Sequence, residues 1–177
     1  MPLPLFWIGA GLTTVMLGHQ MHKQSQRQRV GKFPGEDCTP VAAVNGSIVS
    51  CGIYGVFDHT GIWIDDNVVE LKGNGLIRGI SPQRFLKDRS GDTIYVACGG
   101  DLTPLVSPAA AKNAMEQVFY YTDYDVWNNN CHRFCWRCVS GRNDTVSRFS
   151  DLNKKLSEYF QQPIHWQPLA NPHNNIG

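Results

Sequence analysis

The feature that most constrains this chain is a run of three asparagines that ends at a cysteine, at residues 128–131. Asparagine disfavours helix interiors and supplies N-caps, and Cys131, Cys135 and Cys138 then recur on one face of a helix. The pattern therefore predicts a helix that begins at Cys131. A thiol in a first helical turn lies at the positive end of the helix dipole, which lowers its pKa and favours the nucleophilic thiolate. Cys131 is the candidate nucleophile, whereas the two later cysteines are expected to anchor the helix in the core.

The overall composition indicates one domain and no nucleic-acid partner. The chain has 177 residues, of which 42% are hydrophobic, so a single domain with a substantial core is expected. Its 16 lysines and arginines nearly balance its 15 acidic residues, so no broad phosphate-binding surface is predicted. Among the cysteines, Cys51 and Cys98 lie in apolar, strand-like runs, which indicates mostly buried free thiols and a reducing compartment.

Residues 2–18 form an apolar stretch without a charged side chain. Its length is marginal for a membrane span, since about 20 apolar residues cross the hydrocarbon core. A signal peptide is disfavoured, because no lysine or arginine precedes the stretch and no small-x-small cleavage site follows it. The sequence therefore predicts a hydrophobic membrane anchor at residues 1–22. Basic residues follow the anchor, so the positive-inside rule places the domain on the cytoplasmic side. The alternatives are a secreted or periplasmic domain, and an N-terminal helix packed on the domain or on a partner.

The rest of the chain divides into a linker, one domain and a tail. Residues 23–37 are polar and basic and are predicted to form a linker, residues 38–160 the domain, and residues 161–177 an irregular tail. Strands are predicted at residues 46–56, 57–64, 67–71 and 92–98. Helices are predicted at residues 81–87, 107–121 and 143–160, besides the one that begins at Cys131, and a loop at residues 73–80. The expected fold class is α+β, with a small antiparallel sheet packed against helices and the hydrophobic helix at the N-terminus.

A base for the Cys131 thiol is expected among the six histidines, since a thiol nucleophile needs a proton acceptor and that base needs an orienting partner. Four of the histidines lie near the N-terminus or in the predicted tail. His132 follows Cys131 in the same helix, where adjacent side chains point about 100° apart and do not face each other. His59, in the middle of a predicted strand, is the remaining candidate.

The hairpin that contains His59 indicates Glu70 as the orienting partner. With Asp65 and Asp66 as a two-residue turn, Gly61 pairs with Glu70, so Glu70 projects from the same sheet face as His59. The two side chains would be diagonal neighbours about 7 Å apart at the backbone, and glycine at position 61 would leave them room to meet. A three-residue turn would put Glu70 on the opposite face, so the predicted site depends on the length of this turn.

Structural roles and metal sites are the alternatives for these residues. A lone strand histidine, a glutamate near a turn and a buried cysteine are each more commonly structural. The three helix cysteines have the spacing of an iron–sulfur motif, but too little chain follows them for the α/β barrel that usually accompanies it. A zinc site formed with His132 would lack the paired C-x2-C knuckles that make such sites recognisable. The predicted site therefore contains no metal and no cofactor.

The order of these elements resembles a known family. A histidine in a strand (DHTGIWI), a polar residue on the next strand (VVEL) and an Asn-Cys motif that opens a later helix (NNNCHRF) are similar to the circularly permuted papain-like proteins of the NlpC/P60 superfamily, in its lecithin:retinol acyltransferase-like and YiiX-like branches. The resemblance covers residues 46–140 and implies that His59 is the general base and Cys131 the nucleophile. The acyltransferase branch usually has histidine where this chain has Glu70, and Asn-Cys-Glu-His-Phe where this chain has Asn-Cys-His-Arg-Phe.

The resemblance implies a thiol hydrolase or acyltransferase with a triad of Cys131, His59 and Glu70. Such an enzyme would form a thioester from an ester or amide, here of a lipid or acylated substrate, since glutamate can still orient the imidazole. A peptidoglycan or other peptide amidase, and a catalytically silent binding module of the same fold, are the alternatives. The expected partners are a lipid, acyl or peptide substrate, and the membrane through the N-terminal segment.

Overall fold

The computed structural model describes residues 26–53, 57–87 and 89–170, and these residues form an α+β fold with one seven-stranded mixed sheet and four helices. The strands are β1 (Val30–Lys32), β2 (Ile48–Ile53), β3 (Phe57–Ile64), β4 (Asn67–Leu71), β5 (Ile77–Ile80), β6 (Tyr95–Cys98) and β7 (Ile164–Pro168). Their order across the sheet is β1-β7-β6-β2-β3-β4-β5. The helices are α1 (Pro82–Leu86), α2 (Ala110–Met115), α3 (Cys131–Ser140) and α4 (Phe149–Phe160).

The hairpin of β3 and β4 has the two-residue turn that the sequence predicts. Asp65 and Asp66 both have positive φ angles, 47° and 59°, which matches the turn to the twist of the strands that it joins. Ile64 pairs with Asn67 across the end of the hairpin. The predicted register is therefore confirmed, and it decides which side chains of the two strands share a sheet face.

The two faces of the sheet support two separate clusters of buried side chains. Ile62 and Val69 belong to the larger cluster, which includes residues of α3 and α4. Trp63 and Val68 belong to the second cluster, together with Phe85 of α1. Because consecutive strand residues point to opposite faces, β3 and β4 contribute to both clusters. The central strands are thus buried on both sides.

The sheet is larger than the small antiparallel sheet that the sequence predicts. β1 pairs in parallel with β7, and these strands lie in the segments predicted as a linker and as an irregular tail. Val30 and Trp166 are fully buried there. β5 lies within residues 73–80, for which a loop is predicted, and pairs with β4. All three strands are short and gain their backbone hydrogen bonds from partners that local sequence patterns do not reveal.

The N-terminal hydrophobic helix, predicted as a membrane anchor at residues 1–22, lies outside the described residues. Within the part of the chain that the structure describes, no helix combines the length and the apolar character needed to cross a bilayer. The anchor therefore stays a prediction. The predicted tail is described as far as residue 170, where it includes β7.

Gly61 is required by the close packing of β3 and β4 rather than by the site residues. A Cβ atom at this position would collide with the Val68 side chain and would lie 2.9 Å from the carbonyl oxygen of Val69. The Phe85 ring would lie 3.5 Å away. Glycine at position 61 is expected from the sequence to leave room for His59 to meet Glu70, but the space beside it is filled by Val68, the Val69 carbonyl group and Phe85.

Replacing Gly61 with alanine is expected to destabilise the fold by about 1 to 3 kcal/mol, because overpacking a dense core forces shifts of side chains and backbone. Thermal unfolding followed by circular dichroism should show a melting temperature lower by about 2 to 10 °C. The control is Gly79→Ala on β5, where an added Cβ meets no atom within 4 Å, and it should melt close to the wild type. Equal melting temperatures for both variants would contradict the packing described for Gly61.

Candidate active site

The helix α3 begins at Cys131, as the sequence predicts. Asn130 is its N-cap, with extended backbone, and its Oδ1 accepts a hydrogen bond from the backbone N–H of Arg133 at 3.0 Å. The Asn130 side-chain amide donates to the carbonyl oxygens of Val126 and Ser147, at 2.7 and 2.8 Å. The cap therefore joins the start of α3 to the loops on both sides. Cys131 is held in the first helical turn and is 5% exposed.

His59 and Glu70 meet on the face of the sheet that the hairpin register predicts. The Nε2–H of His59 donates to Oε2 of Glu70 at 2.7 Å. Both side chains are buried, and Glu70 has no exposed surface. The bond fixes the orientation of the imidazole ring and leaves Nδ1 as the nitrogen that is free to exchange a proton with a reacting group.

Two arginines complete the hydrogen bonding of Glu70. Arg78 donates from Nε and Nη2 to Oε1, at 3.0 and 2.8 Å, and Arg89 donates from Nη2 to Oε2 at 2.8 Å. Burial alone would raise the pKa of Glu70, but the hydrogen bond and charge of His59, followed by the two arginines, lower it to about 2. Glu70 is therefore a carboxylate at neutral pH.

Sequence reasoning missed both arginines. Arg78 lies directly opposite Glu70 in the pairing of β4 with β5. The same parity that places Glu70 beside His59 would have identified Arg78, had residues 73–80 been recognised as containing a strand. Arg89 follows α1, and no local pattern brings it to Glu70.

Cys131 interacts with two histidines, one more than the sequence predicts. The Sγ atom of Cys131 lies 3.9 Å from Nδ1 of His132, which is also 3.1 Å from Oγ1 of Thr60. The expectation that His132 and Cys131 do not meet was therefore wrong: the two side chains leave the helix in different directions, but the imidazole is long enough for Nδ1 to reach back to the sulfur while Thr60 holds the ring.

The electrostatics of this cluster favour an ion pair. Burial alone would raise the pKa of the Cys131 thiol, but His132 and then His59 lower it well below the ordinary value. Burial alone would lower the pKa of His59, but the charge and hydrogen bond of Cys131, followed by the bond to Glu70, raise it to about 9. Both shifts favour a thiolate beside a protonated His59 over the uncharged pair.

A cavity of about 170 Å³ opens over the Cys131 thiol. It is lined by side chains from β2, β3, the loop before α3, α3 itself and the segment that follows it: Ile53, Phe57, Asp58, His59, Tyr124, Asn130, Cys131, His132 and Ser147. Burial raises the pKa of Asp58 to about 6, against the opposing effect of His132. Asp58 is a second acidic group at the site that sequence reasoning missed, although its position next to His59 was a signal.

The remaining cysteines differ from Cys131 in their chemistry. All six are free thiols, and only Cys38 is exposed, which confirms the prediction of mostly buried free thiols. Burial raises the pKa of Cys138 to about 12 and that of Cys135 well above its ordinary value. Both therefore stay protonated and pack in the core around α3. In the described ranges, no three His, Cys, Asp or Glu side chains are grouped so that they could hold a metal ion.

No protein-family model, curated protein or solved structure matches this chain. The class of protein is therefore inferred from the geometry and chemistry of the site. The site brings together a thiol of lowered pKa at a helix start, an imidazole and a buried carboxylate, which are the groups that a thiol nucleophile with an oriented base requires.

The pH dependence of Cys131 alkylation tests the lowered pKa of its thiol. Because the pKa of the Cys131 thiol is lowered in the folded protein, the alkylation rate by iodoacetamide should show a plateau that extends well below the ordinary thiol pKa, whereas the rate of an ordinary thiol falls roughly tenfold per pH unit there. Peptide mass spectrometry would follow Cys131 in the folded chain and, as the control, in the chain unfolded in urea. In His132→Asn the lower end of the plateau should move to higher pH. A folded chain with the slope of the unfolded chain would contradict the ion pair.

Replacing Glu70 with glutamine tests the role of its charge in the fold. The variant should be about 3 to 5 kcal/mol less stable in urea unfolding at pH 7, because it leaves Arg78 and Arg89 without a carboxylate in a mostly buried position. The pKa of Glu70 is about 2 instead of 4.5, so this stability is present above pH 4.5 and is lost as the pH falls toward 2. Asp144→Asn, which removes a partly exposed carboxylate, should cost less than about 1 kcal/mol. Equal losses in the two variants would refute a special role for Glu70.

Proposed function

We propose that this protein is a cysteine-dependent hydrolase or acyltransferase that forms a thioester from an ester or amide, on a permuted papain-like fold. The observation that carries the proposal is the placement of the Cys131 thiol, whose pKa is lowered, at the start of α3 with a His59 ring that the buried Glu70 holds. The order of these three residues along the chain also supports it, since histidine, polar residue and cysteine follow one another as in the permuted papain-like proteins.

The reaction begins with the proton already on His59. The Cys131 thiolate attacks the carbonyl carbon, and the carbonyl electron pair moves to the oxygen. The backbone N–H groups in the first turn of a helix have no intrahelical acceptor, so the N–H of Cys131 is available to the oxyanion. His59 then donates its proton to the leaving alcohol or amine as the carbon–oxygen or carbon–nitrogen bond breaks. The product of this half-reaction is a thioester on Cys131.

The second half-reaction transfers the acyl group. His59, now neutral, accepts a proton from water or from an acceptor alcohol or amine as that group attacks the thioester carbonyl. The Cys131 thiolate leaves, and the protonated His59 is restored. Water gives a carboxylic acid, whereas another acceptor gives a new ester or amide. The same residues therefore serve hydrolysis and transfer.

His59 is assigned as the base, and His132 as a residue that stabilises the thiolate. The Nε2 atom of His59 is bound to Glu70, which fixes its tautomer and stabilises its protonated form. The Nδ1 atom of His132 is shared between Thr60 and the sulfur, and among the described residues no carboxylate lies within ion-pair distance of His132. The two histidines thus differ in their hydrogen-bond partners, although both interact with the Cys131 thiol.

The surroundings of the cavity favour a lipid or acylated substrate. The cavity is small, so it admits the reacting carbonyl group while the rest of the substrate lies on the surface. Phe57, which lines the cavity, is 65% exposed, and Val126 and Trp127 in the loop before α3 are also exposed. Exposed apolar side chains around a reactive thiol fit an acyl chain better than a charged peptide.

Formation of a covalent acyl-enzyme tests the nucleophile. The full chain incubated with p-nitrophenyl esters of short and long fatty acids should gain the mass of the acyl group on Cys131, with faster release of p-nitrophenol for the longer chains. Cys131→Ala should abolish both signals, whereas Cys38→Ser, which removes the exposed thiol, should retain them. Undiminished acylation of Cys131→Ala would overturn the assignment.

The two histidine variants test the base. His59→Asn should lower the acylation rate by about 10²- to 10⁴-fold, the usual contribution of a positioned acid or base. His132→Asn should reduce it less, because His59, with its raised pKa, remains beside the thiol. A larger loss in His132→Asn than in His59→Asn would exchange the two roles. An intact fold with no acyl-enzyme from esters or from peptide amides would favour a silent binding module.

A further inference from the structure

A second cavity, of about 340 Å³, lies beside β4, β5 and α1. Every described residue that lines it carries a cationic side chain: Lys72, Arg78, Arg84, Lys87 and Arg89. The cavity has the volume of many small-molecule sites. The even charge balance of the chain, +1 at neutral pH, conceals this local concentration of positive charge.

The carboxylates of the described residues do not balance the cations of this cavity. Arg78 and Arg89 share the single carboxylate of Glu70, which also accepts from His59. Lys72, Arg84 and Lys87 are exposed, and none of them has an ion pair with another described residue. Like charges gathered at one place repel one another, so the cavity is a region where a bound anion would stabilise the folded protein.

Two of the arginines are held in fixed positions. Arg78 is bound to Glu70 through two nitrogens. Arg89 is bound to Glu70 through Nη2, and its guanidinium lies over the Phe85 ring, 4.8 Å from the centroid. Its Nη1 atom is buried and has no hydrogen-bond partner among the described groups. A buried donor without an acceptor is uncommon in folded proteins and marks a place that suits an acceptor atom.

We propose that this cavity is a binding site for a phosphate group, carried by a small phosphorylated molecule or by a lipid headgroup. Arginine presents a planar fork of donors that matches phosphate oxygens, and lysine adds point charges. A phosphate dianion offers several acceptor oxygens and two negative charges, which suits five converging cations better than a single carboxylate does. This cavity is separate from the one over Cys131. Glu70 hydrogen-bonds to residues that line each of them: His59 in the Cys131 cavity, and Arg78 and Arg89 in the cationic cavity.

Phosphate binding to the full chain tests this site directly. Isothermal titration with inorganic phosphate would compare the wild type with the triple variant Lys72→Gln, Arg84→Gln and Lys87→Gln, which leaves the arginines of Glu70 in place. The control carries the same loss of charge at exposed positions elsewhere, Lys112→Gln, Arg142→Gln and Lys154→Gln. The cavity variant should bind at least about tenfold more weakly, since one charge-assisted hydrogen bond is worth that factor, and the control should bind as the wild type does.

Vesicle binding distinguishes the two sources of phosphate. Co-sedimentation with phosphatidylcholine vesicles, with and without phosphatidic acid, would show whether the cavity variant loses the part of the binding that depends on phosphatidic acid. A loss confined to the cavity variant assigns the site to a lipid headgroup, whereas cavity-dependent binding of inorganic phosphate alone assigns it to a small phosphorylated molecule.

No binding of inorganic phosphate together with no cavity-dependent binding of vesicles would exclude the site. Equal losses in the cavity variant and in the control variant would show general surface attraction instead of a site. Circular dichroism of both triple variants checks that the fold is retained. None of these binding measurements requires catalytic turnover. A negative result would therefore exclude the phosphate site without bearing on thioester formation at Cys131.

Discussion

The buried charge of Glu70 is the interaction on which the rest of this structure depends. A carboxylate without solvent contact is costly unless donors surround it, and here three donors come from separate parts of the chain: His59 on β3, Arg78 on β5 and Arg89 after α1. The carboxylate therefore ties two strands and a loop to β4. It also connects the thiol site to the cationic cavity, since His59 of the thiol site and both arginines of the cavity bind the Glu70 carboxylate.

The three cysteines of α3 show how position divides chemically identical side chains. Cys131 lies where the helix starts and faces two imidazoles, whereas Cys135 and Cys138 lie deeper among apolar neighbours. Burial acts on all three in the same direction and disfavours the thiolate. Only at Cys131 do nearby positive groups outweigh it, so one helix face carries one reactive thiol and two inert ones.

The parts of the site that could be predicted from the sequence are those with local causes. The start of α3 follows from an asparagine cap, and the contact of His59 with Glu70 follows from a two-residue turn and the alternation of strand residues. The remaining parts depend on pairing across the chain. β1 and β7 come from opposite ends of the domain sequence and pair in the sheet. Arg89 binds Glu70 from the loop that follows α1. The contact of His132 with Cys131 was not expected for another reason, since contact depends on the reach of a side chain as well as on its direction. Charge totals likewise conceal five cations that meet only in the folded chain.

The order of strands gives the sheet two unlike edges. β1 forms one edge and β5 the other, and seven strands at the usual spacing separate these edges by roughly 29 Å. The described chain starts and finishes at the β1 side, because β7 is the neighbour of β1. The cationic cavity lies at the β5 side. A ligand bound in the cavity is thus separated from both ends of the described chain by most of the width of the sheet.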